Sequence, residues 1–118
     1  MTTRWIARLT KDHDAGIIAL LEGQTRPSFI QMALAQSTIQ HSRIVLLDCS
    51  SDVRAARLRG PRMQPELATP QMDAWAVYLR GQADALRLPV MDTSQRSVEE
   101  VADELVNHID LLRAEIAD

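Results

Sequence analysis

The chain has 118 residues, of which 46% are hydrophobic and 25% are charged, and its formal net charge is −3 at pH 7. This composition is ordinary for a soluble globular protein and argues against a disordered or membrane-embedded chain. The negative net charge gives no reason to expect nucleic-acid binding. We therefore expect a single domain over residues 1–118 with no nucleic-acid or membrane partner. The N-terminal segment lacks the apolar core of a signal peptide and no apolar run approaches the length of a membrane span, so we expect a cytoplasmic location.

The first third of the chain predicts two helices with a strand between them. Apolar residues at helical spacing predict a first helix from Thr2 or Thr3 to between Asp12 and Gly16. The run IIALL, residues 17–21, has the length and continuous apolar character of a strand buried on both faces. Pro27 is suited to the first turn of a second helix.

The central stretch RIVLLDCSSDVRAARLRGPR, residues 43–62, predicts a strand, a tight turn and a basic helix. Ile44–Leu47 reads as a second buried strand because no polar residue alternates with the apolar ones. Ser51 is the expected N-cap of the next helix, and Asp52 suits the positive end of its dipole. A surface helix with a solvated arginine face is the structural alternative to a binding role.

The last half of the chain predicts a loop, two helices and one further strand. Residues 60–67 contain glycine and two prolines and predict a loop. Thr69 followed by Pro70 predicts the start of a helix that runs to about Arg87, and residues 88–91 predict a third strand. Ser97 and Glu100 form a capping-box pattern ahead of a strongly amphipathic stretch.

Helices that alternate with short apolar strands predict a three-layer α/β fold, with a three-stranded parallel sheet and helices on both faces. Right-handed crossovers would then place the acidic residues at the three strand ends, Glu22, Asp48 and Asp92, on one edge of the sheet. Ligands bind at this edge in open α/β sheets. Strand-end acids also cap turns and helices, so a purely structural role remains open for each of them.

Three segments in the expected order resemble adenylate-kinase-like small-molecule P-loop kinases. ALLEGQTRPSFIQMAL is similar to the family's strand followed by Asp/Glu-Gly-x-x-Arg, and IVLLDCSSDVRAARLRGPR to its later strand and the arginine-containing start of the lid. LPVMDTSQRSVEEVADELVNHI is similar to its last strand, adenine-side loop and closing helix. The resemblance implies an ATP- and Mg²⁺-dependent phosphotransferase that acts on a small acceptor molecule.

The resemblance also implies roles for particular residues, although the chain departs from the family pattern by one extra residue before Arg26 and by Pro61. Seven residues would carry these roles: Glu22 as the catalytic acid and magnesium ligand, Arg57 and Arg62 as catalytic phosphate or lid arginines, Gln24 and Arg26 at the acceptor substrate, and Ser94 and Gln95 beside the adenine.

A larger departure is the absence of a G-x-x-x-x-G-K-[ST] loop, which would supply the amides, lysine and hydroxyl that hold a triphosphate. We therefore expect a truncated kinase domain that is inactive alone, with its first strand and phosphate loop missing. Loss of a central strand would leave two strand edges unpaired, which predicts that the strands pair directly or that two chains associate as a homodimer. The alternative is a non-catalytic α/β module that dimerises or binds a partner.

Overall fold

The computed structural model of the chain describes residues 2–14, 16 and 18–117. It divides into two compact units, Met1–Ser42 and Arg43–Asp118.

The first unit consists of two packed helices. Helix α1 spans Thr2–Asp14 and helix α2 spans Pro27–Ala35, and the two are in contact. Ile6 on α1 and Ala33 on α2 are buried. Pro27 lies at the start of α2, where its missing N–H costs nothing because the first amides of a helix have no intrahelical acceptor. Both predicted helices are therefore confirmed.

The strand predicted over residues 17–21 is wrong for every residue of that run that the structure describes. Residues 18–26 have no regular secondary structure, and Ile17 lies outside the described residues. Leu20 is 78% exposed and Leu21 is 38% exposed, so the run is not a buried one. A strand is stable only when its backbone groups are paired, and no described strand lies beside this segment.

The second unit contains two strands, three helices and a short 3₁₀ turn. In chain order these elements are β1 (Leu46–Asp48), α3 (Ser51–Arg59), the 3₁₀ turn (Pro65–Leu67), α4 (Pro70–Ala85), β2 (Val90–Asp92) and α5 (Val98–Ala117). Leu58 on α3, Ala83 on α4 and Met91 on β2 are its buried apolar residues. Helix α4 packs against β1.

The described sheet has two parallel strands, so the predicted three-stranded, three-layer α/β fold is wrong. Leu46 pairs with Val90 and Asp48 pairs with Asp92. The ladder begins two residues later than Ile44, where the sequence predicted the strand to start. The amide of Leu46 donates to the Pro89 carbonyl. The ladder does not extend back to Ile44, because Pro89 has no N–H to donate to the Ile44 carbonyl.

The helix boundaries of the second unit follow local capping chemistry. Ser50, not the predicted Ser51, caps α3, because the Ser50 hydroxyl accepts a hydrogen bond from the amide of Val53. Thr69 caps α4 as predicted. The capping box ahead of α5 is confirmed by two reciprocal hydrogen bonds between Ser97 and Glu100.

Candidate functional site

The carboxyl ends of β1 and β2 carry the densest group of interacting charged side chains that the structure describes. Asp48 ends β1 and Asp92 ends β2, and the two residues are partners in the strand register. Helix α3 begins three residues after Asp48, and the chain turns again directly after Asp92. The sequence therefore correctly placed these two acids side by side, at the edge where parallel sheets bind ligands.

Two arginines neutralise Asp48. Arg54 Nη2 donates to Asp48 Oδ1 at 3.3 Å, and Arg80 Nη1 donates to Asp48 Oδ2 at 3.4 Å. Arg54 also donates to the Cys49 carbonyl at 2.8 Å and to Asp73 Oδ1 at 2.9 Å. The side chains of Arg54 and Asp48 are only 17% and 19% exposed, so solvent screens this ion pair weakly. The network joins α3 and α4 to the end of β1.

A second set of contacts joins the loops that follow the two strands. Arg57 donates to the Thr93 hydroxyl at 2.8 Å and to the Thr93 carbonyl at 2.5 Å. The Thr93 amide and hydroxyl both donate to the Asp48 carbonyl, at 2.8 and 3.1 Å. The amide of Ser50 donates to Ser94 Oγ at 2.8 Å. We call residues 93–95 the strand-end turn, and these bonds fasten it to α3 and β1.

Hydrogen bonding also sets the ionisation of Asp92. The Ser94 amide donates to Asp92 Oδ1 at 2.9 Å, and this bond, together with the Ser94 hydroxyl, lowers the pKa of Asp92. The positive charges of Arg80 and Arg57 act in the same direction with smaller effect. In turn, Asp84 and, to a smaller extent, Asp48 raise the pKa of Arg80. These interactions therefore favour the ionised carboxylate of Asp92 and the charged guanidinium of Arg80.

An open pocket of about 200 Å³ lies beside the Asp48 network. Ala76 and Val77 of α4 contribute apolar surface to it, and Cys49 and Ser51 line it as well. Four charged residues complete the lining: Asp48, Arg54, Asp73 and Arg80. Each of these four charged groups already has a partner of opposite charge. A ligand in the pocket would have to compete with these ion pairs.

The second unit contains four of the seven residues assigned by the resemblance. Arg57 and Ser94 both belong to the bonded loops at the strand ends. Gln95 is exposed in the strand-end turn. Arg62 lies just beyond the end of α3, where its amide donates to the Arg57 carbonyl at 3.1 Å. The Arg62 side chain is exposed.

The other three assigned residues, Glu22, Gln24 and Arg26, lie in the first unit, and all three are exposed. Glu22 does not follow a strand, so the premise that placed it at a sheet edge fails. Arg26 is the N-cap residue of α2, and its guanidinium carbon lies 5.1 Å from the centre of the Phe29 ring. This cation–π contact gives Arg26 a structural role within its own unit.

The sequence analysis missed Asp73, Arg80 and Thr93. Asp73 and Arg80 are seven residues apart on α4, a spacing that places both on one face of a helix, and this signal was present in the sequence. Arg80 binds Asp48, which lies 32 residues away in sequence, and Asp73 binds Arg54, which lies 19 residues away, so no local pattern predicts either contact. Thr93 follows Asp92 directly, but its contact with Arg57 depends on the strand register.

A magnesium site built from protein groups alone does not fit the described residues. They contain no group of three His, Cys, Asp or Glu side chains placed to share a metal ion. Both Asp48 oxygens bind arginine, and Glu22 lies in the other unit.

No helix in the described part of the chain is long and apolar enough to cross a membrane.

Comparisons with protein-family models, with curated proteins and with solved structures found no match to this chain.

Proposed function

We propose that the second unit is the later half of an adenylate-kinase-like nucleotide-binding domain, and that it performs no phosphoryl transfer by itself. The carrying observation is the pair of parallel strands in register, both ending in aspartate and followed by loops that Arg57 and Ser94 join. The order of strand, arginine helix, long helix, strand and closing helix supports the same proposal.

The chemistry of this edge suits the base and the outer phosphates of a nucleotide better than catalysis. Ser94 and Gln95 belong to a turn that would face the adenine, and Arg57 would reach phosphate oxygens. The chain has no loop that would wrap the triphosphate. Magnesium would arrive with the nucleotide, since Mg²⁺ commonly keeps waters and phosphate oxygens in its shell.

The residues that the resemblance assigns to the acceptor belong to the first unit. Gln24 and Arg26 remain the residues proposed for a small anionic acceptor, whereas the magnesium role of Glu22 is not part of the proposal, because no strand places Glu22 at a sheet edge. A cytoplasmic location belongs to the same proposal. The exposed state of all three side chains leaves them accessible to a ligand.

Nucleotide titration of the ¹⁵N-labelled whole chain, followed by NMR, tests this function. We expect adenosine alone to shift the amide signals of Ser94 and Gln95, and ATP with Mg²⁺ to bind more tightly than adenosine. Gln95→Ala should weaken adenosine binding, whereas Gln64→Ala, which also removes an exposed glutamine side chain, should not. Adenosine that leaves the strand-end turn unchanged would contradict the adenine assignment.

Two further readouts test the inactive state and its cause. We expect no ATP hydrolysis or phosphoryl transfer above the rate of a buffer control, and measurable turnover would contradict the proposal. The DNA upstream of the Met1 codon should encode, in frame, a strand followed by G-x-x-x-x-G-K-[ST]. Stop codons immediately upstream would favour the second candidate function below.

The second candidate is a dimerising module, and the free edge of β1 favours it. The Leu46 amide and the Asp48 carbonyl face β2, so the amide and carbonyl of Leu47 between them face the opposite edge. No described strand pairs there, and the Leu47 side chain is 48% exposed. An unpaired apolar edge is a template for another strand.

Light scattering coupled to size-exclusion chromatography tests dimerisation. We expect the chain to elute as a dimer and Leu47→Lys to shift it toward monomer, because a charged side chain blocks edge pairing. Val77→Lys places the same charge on exposed α4 surface and should leave the dimer intact. A monodisperse monomer at high protein concentration would overturn this candidate.

A further inference from the structure

The two part-buried arginines of α3 differ in the charge of the groups they bind. Arg54 donates to two carboxylates, those of Asp48 and Asp73, and to one carbonyl. Arg57 donates only to the hydroxyl and carbonyl of Thr93, which are both neutral. Both guanidinium groups are held at the same strand edge, but only Arg54 is neutralised by its partners.

This difference decides which arginine an incoming anion could recruit. A phosphate group offers a guanidinium two parallel hydrogen bonds to negatively charged oxygens, whereas a hydroxyl and a carbonyl offer it no opposite charge. An anion that took Arg54 would leave the part-buried carboxylate of Asp48 with a weaker counter-charge, which is costly. An anion that took Arg57 would leave a neutral hydroxyl and carbonyl without this donor, and the exposed carboxylate of Asp92 would lose only a minor electrostatic contribution, because the Ser94 hydrogen bonds act on it more strongly. Arg57 is therefore the arginine that can exchange partners.

We propose that the contact between Arg57 and Thr93 is an autoinhibitory latch, which a phosphate-type anion opens by taking the Arg57 guanidinium away from Thr93. The latch rests on the proposed nucleotide-binding function, and it specifies how that edge responds to its ligand. Opening removes the Arg57 contact between α3 and the strand-end turn, while the bond from the Ser50 amide to Ser94 Oγ remains. The turn stays on β1, because the amide and hydroxyl of Thr93 still donate to the Asp48 carbonyl.

The latch predicts that removing the Thr93 hydroxyl strengthens anion binding. The probe is inorganic tripolyphosphate, titrated into the ¹⁵N-labelled whole chain. Thr93→Val deletes one acceptor of Arg57, so we expect tripolyphosphate to bind about three- to tenfold more tightly than to the unmodified chain. Thr93→Ser keeps the hydroxyl and should bind like the unmodified chain. Weaker binding by Thr93→Val would overturn the latch, because Thr93 would then be positioning Arg57 for the anion.

Two charge-matched variants separate Arg57 from the general positive charge of α3. Arg57→Gln should weaken tripolyphosphate binding at least about tenfold, since it removes the charge-assisted bonds. Arg59→Gln removes the same charge from an exposed position on the same helix and should change binding less than about twofold. Equal losses in both variants would mean diffuse electrostatic attraction and would overturn the proposal.

A measurement on the unmodified chain covers the case in which Thr93→Val does not fold. The Arg57 Nε–H signal and the Thr93 amide signal should move together along one binding curve as tripolyphosphate is added. Independent curves, or no saturable change in either signal, would contradict the latch.

The latch and the proposed function can fail separately. Tripolyphosphate that opens the latch, with adenosine leaving Ser94 and Gln95 unchanged, would retain the latch and reject the nucleotide assignment. ATP that binds equally to the unmodified chain and to Arg57→Gln would retain nucleotide binding and reject the latch.

Discussion

Two apolar runs of similar composition end in an acidic residue, yet only one of them forms a strand. Residues 44–48, IVLLD, include β1, whereas residues 18–22, IALLE, form no regular structure. β1 has β2 beside it, with three residue pairs in register, and no described strand lies beside residues 18–22. The comparison shows that strand formation depends on a partner segment, and apolar composition does not provide one.

The largest expected difference between the two runs concerns packing. Met91, which pairs with Leu47 in β1, is 2% exposed, and Met91→Ala should destabilise the protein by about 2–5 kcal/mol. Leu20 in the other run is 78% exposed, so Leu20→Ala should change stability by less than about 0.5 kcal/mol. Urea unfolding curves measure both values. Similar losses in the two variants would show that residues 18–21 pack in a way that their exposure does not indicate.

The second largest difference should be the loss of stability when the acid at the end of each run is neutralised. Asp48→Asn removes the counter-charge of Arg54 and Arg80, and because the site is largely shielded we expect a loss of about 1–3 kcal/mol. Glu22→Gln changes an exposed residue and should cost less than about 0.5 kcal/mol. The same unfolding experiment compares them. A larger effect at Glu22 would reverse our assignment of Asp48 as the structurally important strand-end acid.

The turn after β1 gives a third and smaller test. Ser50 in this turn caps a helix, whereas no helix cap directly follows Glu22 in the other run. Ser50→Ala should cost about 1 kcal/mol through loss of the hydrogen bond to the Val53 amide. Ser51 is exposed in the first turn of α3, so Ser51→Ala should lower the free energy of unfolding by less than about 0.5 kcal/mol. The reverse order would restore Ser51 as the cap.

The smallest expected effect is a pH dependence at the end of β2. The folded pKa of Asp92 lies below its ordinary value because of the hydrogen bonds from Ser94. Its contribution to stability is therefore complete above about pH 4, the ordinary carboxyl pKa, and is lost as the pH falls through the lower folded pKa. Unfolding free energies measured from pH 5 to pH 2 should fall less steeply for Asp92→Asn than for the unmodified chain.

Ser94→Ala removes the hydroxyl but keeps the amide bond to Asp92, so its pH slope should be intermediate. Identical slopes in all three proteins would show that Asp92 is not stabilised in its ionised form by this turn.

Local sequence signals predicted the helices well and the sheet poorly. Pro27, Thr69 and the Ser97–Glu100 capping box each mark a helix start that the structure confirms, because capping involves residues only a few positions apart. The strand over residues 17–21 failed because pairing is non-local. The site shows the same division: Asp48 and Asp92 were predicted at one edge, whereas the Arg54–Asp73 and Arg57–Thr93 contacts depend on how distant segments align.

Pro89 determines which register of β1 and β2 satisfies the most backbone hydrogen bonds. A sheet of two three-residue strands could slide by two residues and keep the same faces of the strands buried. In the observed register Pro89 is at the first rung, where only its carbonyl is used. Any slip that moves it into the ladder would leave a strand carbonyl without a donor. The proline thus acts as an alignment stop, and it keeps Asp48 and Asp92 opposite each other.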